Sequence, residues 1–203
     1  MEGEGDMVKR SLPIFAAAAV ALSVLATGCA TDVPSNKQPQ LTFQHLPQIP
    51  LNVARVDIVD AQQSVGGKHI EQQMPVAPRA ALERWAHDRL QPTGGNGVAR
   101  FIITQASVVE QELPTTGGVR GAFTNEPAQR YDGVMEVTLE IVDGGGGHDA
   151  VASKVQRQHS VNEKVTLADR EQQWFAMVDN MMQDFNRAFE GQIRNNLTKY
   201  VAR

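Results

Sequence analysis

From Thr166 onward, apolar residues recur at threes and fours: Phe175, Val178, Met181, Met182, Phe185, Phe189, Ile193, Leu197 and Val201. That period is the stripe of an amphipathic helix. Thr166 and Asp169 stand three apart ahead of it, a variant of the capping box. Asp169 and Glu171 near its start and Arg194, Lys199 and Arg203 near its end match the helix dipole. The pattern predicts about 35 helical residues, roughly 50 Å. That is longer than one small sheet can cover, so a kink near Gly191 or a projecting end that packs on a partner is expected.

Tyr131 to Asp143 has the other period. Met135, Val137, Leu139 and Ile141 alternate with Glu136, Thr138 and Glu140, the two-residue repeat of a half-buried strand. Within Leu51 to Val59, Ala54, Val56 and Ile58 alternate with Arg55 and Asp57. Val98 to Val109 forms a second strand, whose consecutive Phe101, Ile102 and Ile103 predict cover on both faces. Val151 to Val161 is a fourth strand, polar enough for an edge, and a glycine run joins it to the third as a hairpin. Ile70 and Met74 mark a short edge strand. A first helix starts near Pro78, with Ala81, Leu82, Trp85, Ala86 and Leu90 on its apolar side; Pro92 and Gly94-Gly95 end it.

The order is β-α-β-β-β-α. It predicts a single α+β domain over residues 51–203: about four strands, mainly antiparallel, with two helices on one face, the second very long. Strands one and two, joined through a helix, should be parallel. The connection Leu113 to Arg130 is long, glycine-rich and carries Val119, Arg120 and Phe123. Loops of that length in a compact domain are usually functional or disordered, which makes those three residues candidate partner contacts.

Ahead of the domain the pattern changes again. Lys9 and Arg10 are followed by an almost wholly apolar run from Ser11 to Ala26, about sixteen residues with Pro13 near its start. A positive patch before a short apolar stretch is the layout of a secretory signal, and the run is shorter than the roughly 20 residues of a spanning helix. Gly28-Cys29 follows, and Cys29 is the only cysteine. Residues 1–6 are acidic and glycine-rich, unlike a signal, so translation is expected to start at Met7. Residues 30–50 contain Pro34, Pro39, Pro47 and Pro50 among polar residues and read as a tether, with Phe43, Leu46 and Ile49 able to dock its far end.

Composition narrows the role. Residues 29–203 hold 20 acidic and 17 basic side chains and no basic stripe, which disfavours nucleic acid. The lone cysteine rules out an internal disulfide. The histidines, His45, His69, His87, His148 and His159, have no metal-ligand spacing. Gly66-Gly67-Lys68 lacks the first glycine and the Ser/Thr of a P-loop and reads as a turn. No serine sits in a nucleophile elbow. The pairs Glu110 and Glu112, and Glu136 and Glu140, each share a strand face and read as solvated surface. Trp85 and Trp174 read as core anchors, and Met181-Met182 as core filling.

Residues 7–30 resemble the bacterial lipoprotein signal, in which cleavage between Gly28 and Cys29 leaves a lipid-modified cysteine. The family usually has Leu three residues before the cysteine; here Ala26 stands there and Leu25 one place earlier. The resemblance implies a signal peptide over 1–28, a lipidated cysteine and flexible tether over 29–50, and acyl and diacylglycerol groups on Cys29, with no other cofactor or metal. Ala30 after the cysteine points to the periplasmic face of the outer membrane. Arg84-Trp85-Ala86 on the first helix, preceded by a strand and a proline-rich approach, resembles the auxiliary lipoproteins of ABC-type lipid-transport systems. That likeness implies a non-enzymatic accessory protein of an envelope assembly or lipid-transport complex, acting through protein contacts. The alternative expectation is a lipid or small molecule bound in an apolar groove between helices and sheet.

Overall fold

A computed structural model describes residues 40–63, 66–114, 127–162 and 164–201. Three long strands carry the fold: β5 (Val98–Glu112), β6 (Pro127–Val142) and β7 (His148–Asn162), an antiparallel meander. β2 (Arg55–Asp60) runs parallel to the first part of β5, from Arg55 opposite Val98 to Asp60 opposite Ile103. β3 (Lys68–His69) pairs antiparallel with Glu110 and Val109 further along the same edge. The main sheet therefore has five strands, in the order β2-β5-β6-β7 with β3 on the same edge of β5 as β2, one more than expected.

The two-residue periodicity places one face against the helices. Phe101, Leu139 and Val151 stand in register across three strands, as do Ile103, Val137 and Ser153. A bulge between Ile103 and Gln105 inserts a residue, so that Ala99, Phe101 and Ile103 before it and Ala106, Val108 and Glu110 after it are all buried. Thr104 Oγ1 donates to the Glu136 carbonyl there, at 3.1 Å. The other face is open to water: Ile102 is half-buried, in a row with Val59, Thr138 and Ala152, so the triple Phe101-Ile102-Ile103 is covered on one side only.

Two helices cover the apolar face. α1 (Pro78–Arg89) has Pro at its first turn, as expected, but stops at Arg89. Leu90 is extended and opens β4 (Leu90–Pro92), which pairs in parallel with β1 (Ile49–Leu51) as a separate two-stranded sheet. The first predicted strand is thus two pieces, β1 and β2, broken at residues 52–54. Ile70 and Met74 are not a strand. Ile70 and Met74 flank a single 3-10 turn, Glu71–Gln73, and point into the core.

α2 (Leu167–Asn196) is one uninterrupted helix of 30 residues. Thr166 Oγ1 accepts from the Asp169 amide at 3.1 Å, the cap its spacing predicted. Its apolar stripe, from Trp174 to Ile193, is buried. Gly133 on β6 is what lets it sit so close: a Cβ there would lie 2.6 Å from Met177 Cε and 2.8 Å from Met181 Sδ. Contrary to expectation, α2 is continuous through Gly191 and its C-terminal end does not project. Leu197 and Tyr200 are buried, and Val201 bridges back to Leu51. The centre of the layer is aromatic: Trp85 lies 5.8 Å from Phe101, 5.1 Å from Phe185 and 5.6 Å from Phe189.

Candidate functional site

Recesses among the described residues lie at the margins of the core between helices and sheet. One is a cleft of about 590 Å³ lined by side chains including Gln62, His69, Glu71, Arg79, Gln105 and Ser107. It exists because β2 stops opposite Ile103 while β3 reaches only to Val109. Side chains replace the missing strand: Gln62 Oε1 accepts from the Ala106 amide at 3.0 Å and Glu71 Oε1 from the Val108 amide at 2.7 Å. Glu71 Oε1 also lies 2.9 Å from His69 Nδ1. Gln105 Nε2 donates to Ser107 Oγ at 3.1 Å. Arg79, at the start of α1, is held by Asp60 at 2.7 Å and by Glu83 at 3.3 Å. The side chain and then the backbone amide of Gln62, with Arg79 behind them, hold the Asp60 carboxyl below its ordinary value. Amide, imidazole and hydroxyl groups in such a cleft can hydrogen-bond a polar molecule.

A second recess, about 520 Å³, runs between residues 41–46 and α2 and is lined by Leu41, Phe43, Leu46, Met182, Asn186 and Glu190 among others. A third, about 230 Å³, lies on the α1 side of Leu41, against Val76, Ala80 and Arg84. Residues 41–46 thus cross the seam between the helices as a strap. Phe43 is 7% exposed, and its amide donates to Asp88 Oδ2 at 2.8 Å. Thr42 Oγ1 donates to the same oxygen at 3.3 Å, and Gln44 Nε2 to Asp88 Oδ1 at 3.4 Å. Phe43, Leu46 and Ile49 all dock on the domain, as their apolar character predicted.

Gly28, Cys29, Val119, Arg120 and Phe123 lie outside the described residues. The strands that bracket the long connection run further than expected, to Glu112 and from Pro127. Glu110 is not solvated: it is buried and takes Lys68 Nζ at 2.6 Å and Gln129 Nε2 at 3.3 Å, and the Lys68 ammonium is held above its ordinary value by that carboxylate. Glu136 is half-buried and pairs with Lys154 at 2.8 Å. Trp85 and Trp174 are core anchors, and Met181 and Met182 are both buried. Trp85 Nε1 donates to Asn186 at 2.8 Å, a partner 101 residues away. His159 lies 2.8 Å from Gln173 Oε1. Among the described residues no group of His, Cys, Asp or Glu is arranged to hold a metal ion. Sequence reasoning missed Asp88 and Glu71, whose only signal was an acidic side chain next to an apolar stretch.

No family model matches the chain, and no curated protein matches it. Among solved structures it is similar to the rare lipoprotein B from Shewanella oneidensis, at 13% identity and a TM-score of 0.36, over 68% of this chain and 92% of that one. It is similar also to a minor lipoprotein from Acinetobacter baumannii, at 14% identity and a TM-score of 0.32, over 68% of this chain and 91% of that one. Both are bacterial lipoproteins; TM-scores this low do not assign a shared fold. No described helix is long and apolar enough to cross a membrane.

Proposed function

We propose that this chain is a lipid-anchored protein of the bacterial envelope. Cys29 holds it at the periplasmic face of the outer membrane, and the domain supports an envelope assembly or lipid-transport complex through protein contacts rather than by catalysis. The observation that carries the reading is the run from Lys9 to Cys29, a positive patch, a short apolar stretch and the lone cysteine, set ahead of a proline-broken tether. The contacts are assigned to Val119, Arg120 and Phe123 in the connection between β5 and β6. A second reading, a bound small molecule, is favoured by one feature, the 590 Å³ polar cleft; it points to a polar ligand rather than an acyl chain.

The anchor is tested by Cys29→Ser. One acyl chain binds membranes only marginally, while two or more hold a protein there, so the variant is expected in the soluble fraction and the parent in the membrane. Equal membrane retention of both rejects the anchor. The contacts are tested by photo-crosslinkers placed in turn at positions 119, 120 and 123. A stoichiometric adduct with an envelope protein is expected, and absence of adducts from all three positions removes the connection from the proposal.

A further inference from the structure

We propose that the cleft between β2 and β3 receives an extended, uncharged segment of a partner protein, which adds to the edge of β5 as a short strand. This deepens the reading of a domain that acts through protein contacts, and rests on it. β2 and β3 share one edge of β5, and among the described residues no strand covers that edge between Ile103 and Val109. The backbone bonds that bound the opening are the Ala61 amide to the Ile103 carbonyl, at 3.0 Å, and the Ile70 amide to the Val108 carbonyl, at 3.2 Å. Thr104 to Ser107 lie between, about four residues or roughly 13 Å of strand. Two amides face the opening, and each is met by a side chain: Gln62 Oε1 takes Ala106 and Glu71 Oε1 takes Val108. Those oxygens stand in for the carbonyls of a neighbouring strand. The Gln62 carboxamide is chemically a peptide group, so an incoming backbone carbonyl can replace it with no hydrogen bond of β5 left unmade. Alternate residues of a strand turn both amide and carbonyl toward the same neighbour. The Ala106 carbonyl therefore faces the opening as well, an acceptor for an N–H of the segment.

Space and charge fit the same occupant. An extended chain sends successive side chains to opposite faces of a sheet, and the opening has a recess on each face. The 590 Å³ cleft reaches the start of α1 at Ala77 and Arg79, on the helix side. A recess of about 300 Å³, lined by Ala61, Gln63, Thr104, Gln105 and Glu136, lies on the open face. Main-chain bonds to a sheet edge give affinity to such an added strand, and recesses for alternate side chains give selectivity. The charges around the opening are engaged with one another: Arg79 pairs with Asp60 and Glu83, Glu71 lies against His69, and Glu136 pairs with Lys154. An ionic ligand would have to break one of these pairs. The groups that remain are neutral hydrogen-bonding ones, among them the carboxamides of Gln63, Gln72 and Gln105. They suit a segment of uncharged polar residues such as Ser, Thr, Asn and Gln.

The test uses the full chain in detergent, with a displayed library of random decapeptides as the probe. Peptides are selected on the parent and counter-screened on Gln105→Trp, whose ring would fill the recesses that Gln105 lines on both faces. Uncharged polar peptides that bind the parent and lose about 10-fold or more on Gln105→Trp are expected. One of them is then remade with its backbone nitrogens methylated one at a time. Methylation at alternate positions, those whose N–H faces β5, should weaken binding by about 10-fold or more, and methylation between them should not. Gln62→Ala gives the opposite sign. Gln62 competes with the peptide for the Ala106 amide, so its removal should tighten binding about 2- to 10-fold, whereas loss of an ordinary lining residue weakens it. Hydrogen exchange should speed up at Ala106 in Gln62→Ala and stay unchanged at Phe101, which shows the variant folded; the methylated series runs on the parent and decides the question without it. No selectable peptide, equal binding to Gln105→Trp, indifference to methylation, or weaker binding by folded Gln62→Ala each overturns the added strand. So does a small polar molecule found on the parent by native mass spectrometry and absent from Gln105→Trp, which would give the cleft to the second reading. Adducts with an envelope protein from positions 119, 120 or 123 would, beside any of these failures, leave the protein-contact reading standing.

Discussion

Arg89 is 1% exposed and lies between the Trp85 ring, 5.9 Å from its guanidinium carbon, and Glu190, 2.5 Å away. Its Nε has no hydrogen-bond partner among the described residues, so Glu190 is the carboxylate that neutralises it. Burial works to raise the Glu190 carboxyl pKa, but hydrogen bonds from Arg194 and Arg89 outweigh it and leave the group below its ordinary value of 4.5. A carboxylate depressed on folding contributes stability that is present above its unfolded pKa and is lost as pH falls through its folded pKa. Glu190→Ala should therefore destabilise the protein by about 2 kcal/mol at pH 7, because it strands a buried charge. Glu190 is 27% exposed on its side chain, which keeps the figure below that of a fully buried pair. Parent and variant should converge as acid protonates Glu190 below pH 4.5, and Arg89→Met in the Glu190→Ala background should recover part of the loss at pH 7. Urea unfolding at pH 7 and at pH 3.5 measures both; a gap that stays constant or widens in acid refutes the role of the pair. None of this was legible from the sequence. Arg89 and Asp88 appear there as neighbouring charges near the end of a helix, and the partners that bury them lie 101 and about 45 residues away.

α2 shows how much of an element local pattern can hold. Its start was legible because a cap is a contact across three residues, and its buried face because 3.6-residue periodicity is intrinsic to the chain. Of the three long strands, β6 was legible by its two-residue alternation, β5 by its apolar run and β7 by the glycine hairpin that precedes it. β1 and β4 were not: each has three residues, each contains a proline, and they pair in parallel across about 40 residues of intervening chain, so no local period marks them. The end of α2 was misjudged for a related reason. Leu197 and Val201 continue the apolar spacing, but Leu197 is buried in the core and Val201 bridges back to Leu51 after the helix has ended. Gly191, expected at a kink, sits inside the regular helix with nothing within 4 Å of where a Cβ would stand. Glycine in a helix interior costs roughly 0.5–1 kcal/mol relative to alanine. Gly191→Ala should accordingly stabilise the protein by about that amount and raise Tm by roughly 1–4 °C. A fall in Tm would show that the backbone at this position is strained after all.

Across the whole molecule, both ends of the domain meet at β1. The chain enters it from one side at Ile49, just after the strap. The C-terminal turn reaches it from the other: the Asn52 amide donates to the Tyr200 carbonyl at 2.7 Å, and Leu51 bridges Val201. The same turn ties down the far hairpin. Tyr200 OH donates to Asp149 at 2.9 Å and to Asp143 at 3.3 Å, and Lys199 pairs with Asp149 at 2.5 Å. Asp143 in turn accepts the Gly147 amide at 2.7 Å and the Gly145 amide at 2.9 Å, closing the β6–β7 turn. Residues 197–201 therefore fasten the two-stranded sheet to the tip of the main sheet. Truncation after Asn196 removes the buried Leu197 and Tyr200 side chains and should cost about 3–5 kcal/mol. The loss should be uneven. Hydrogen exchange should accelerate most at Ile49–Leu51 and over residues 143–147, while the β5–β6 ladder near Phe101 and Leu139 keeps its order of protection. If the C-terminal turn were a passive tail, neither region would respond. If it merely added to overall stability, all amides would respond alike. Loosening of the strap at Phe43 alongside β1 would make β1 a joint that residues 41–46 and residues 197–201 hold together.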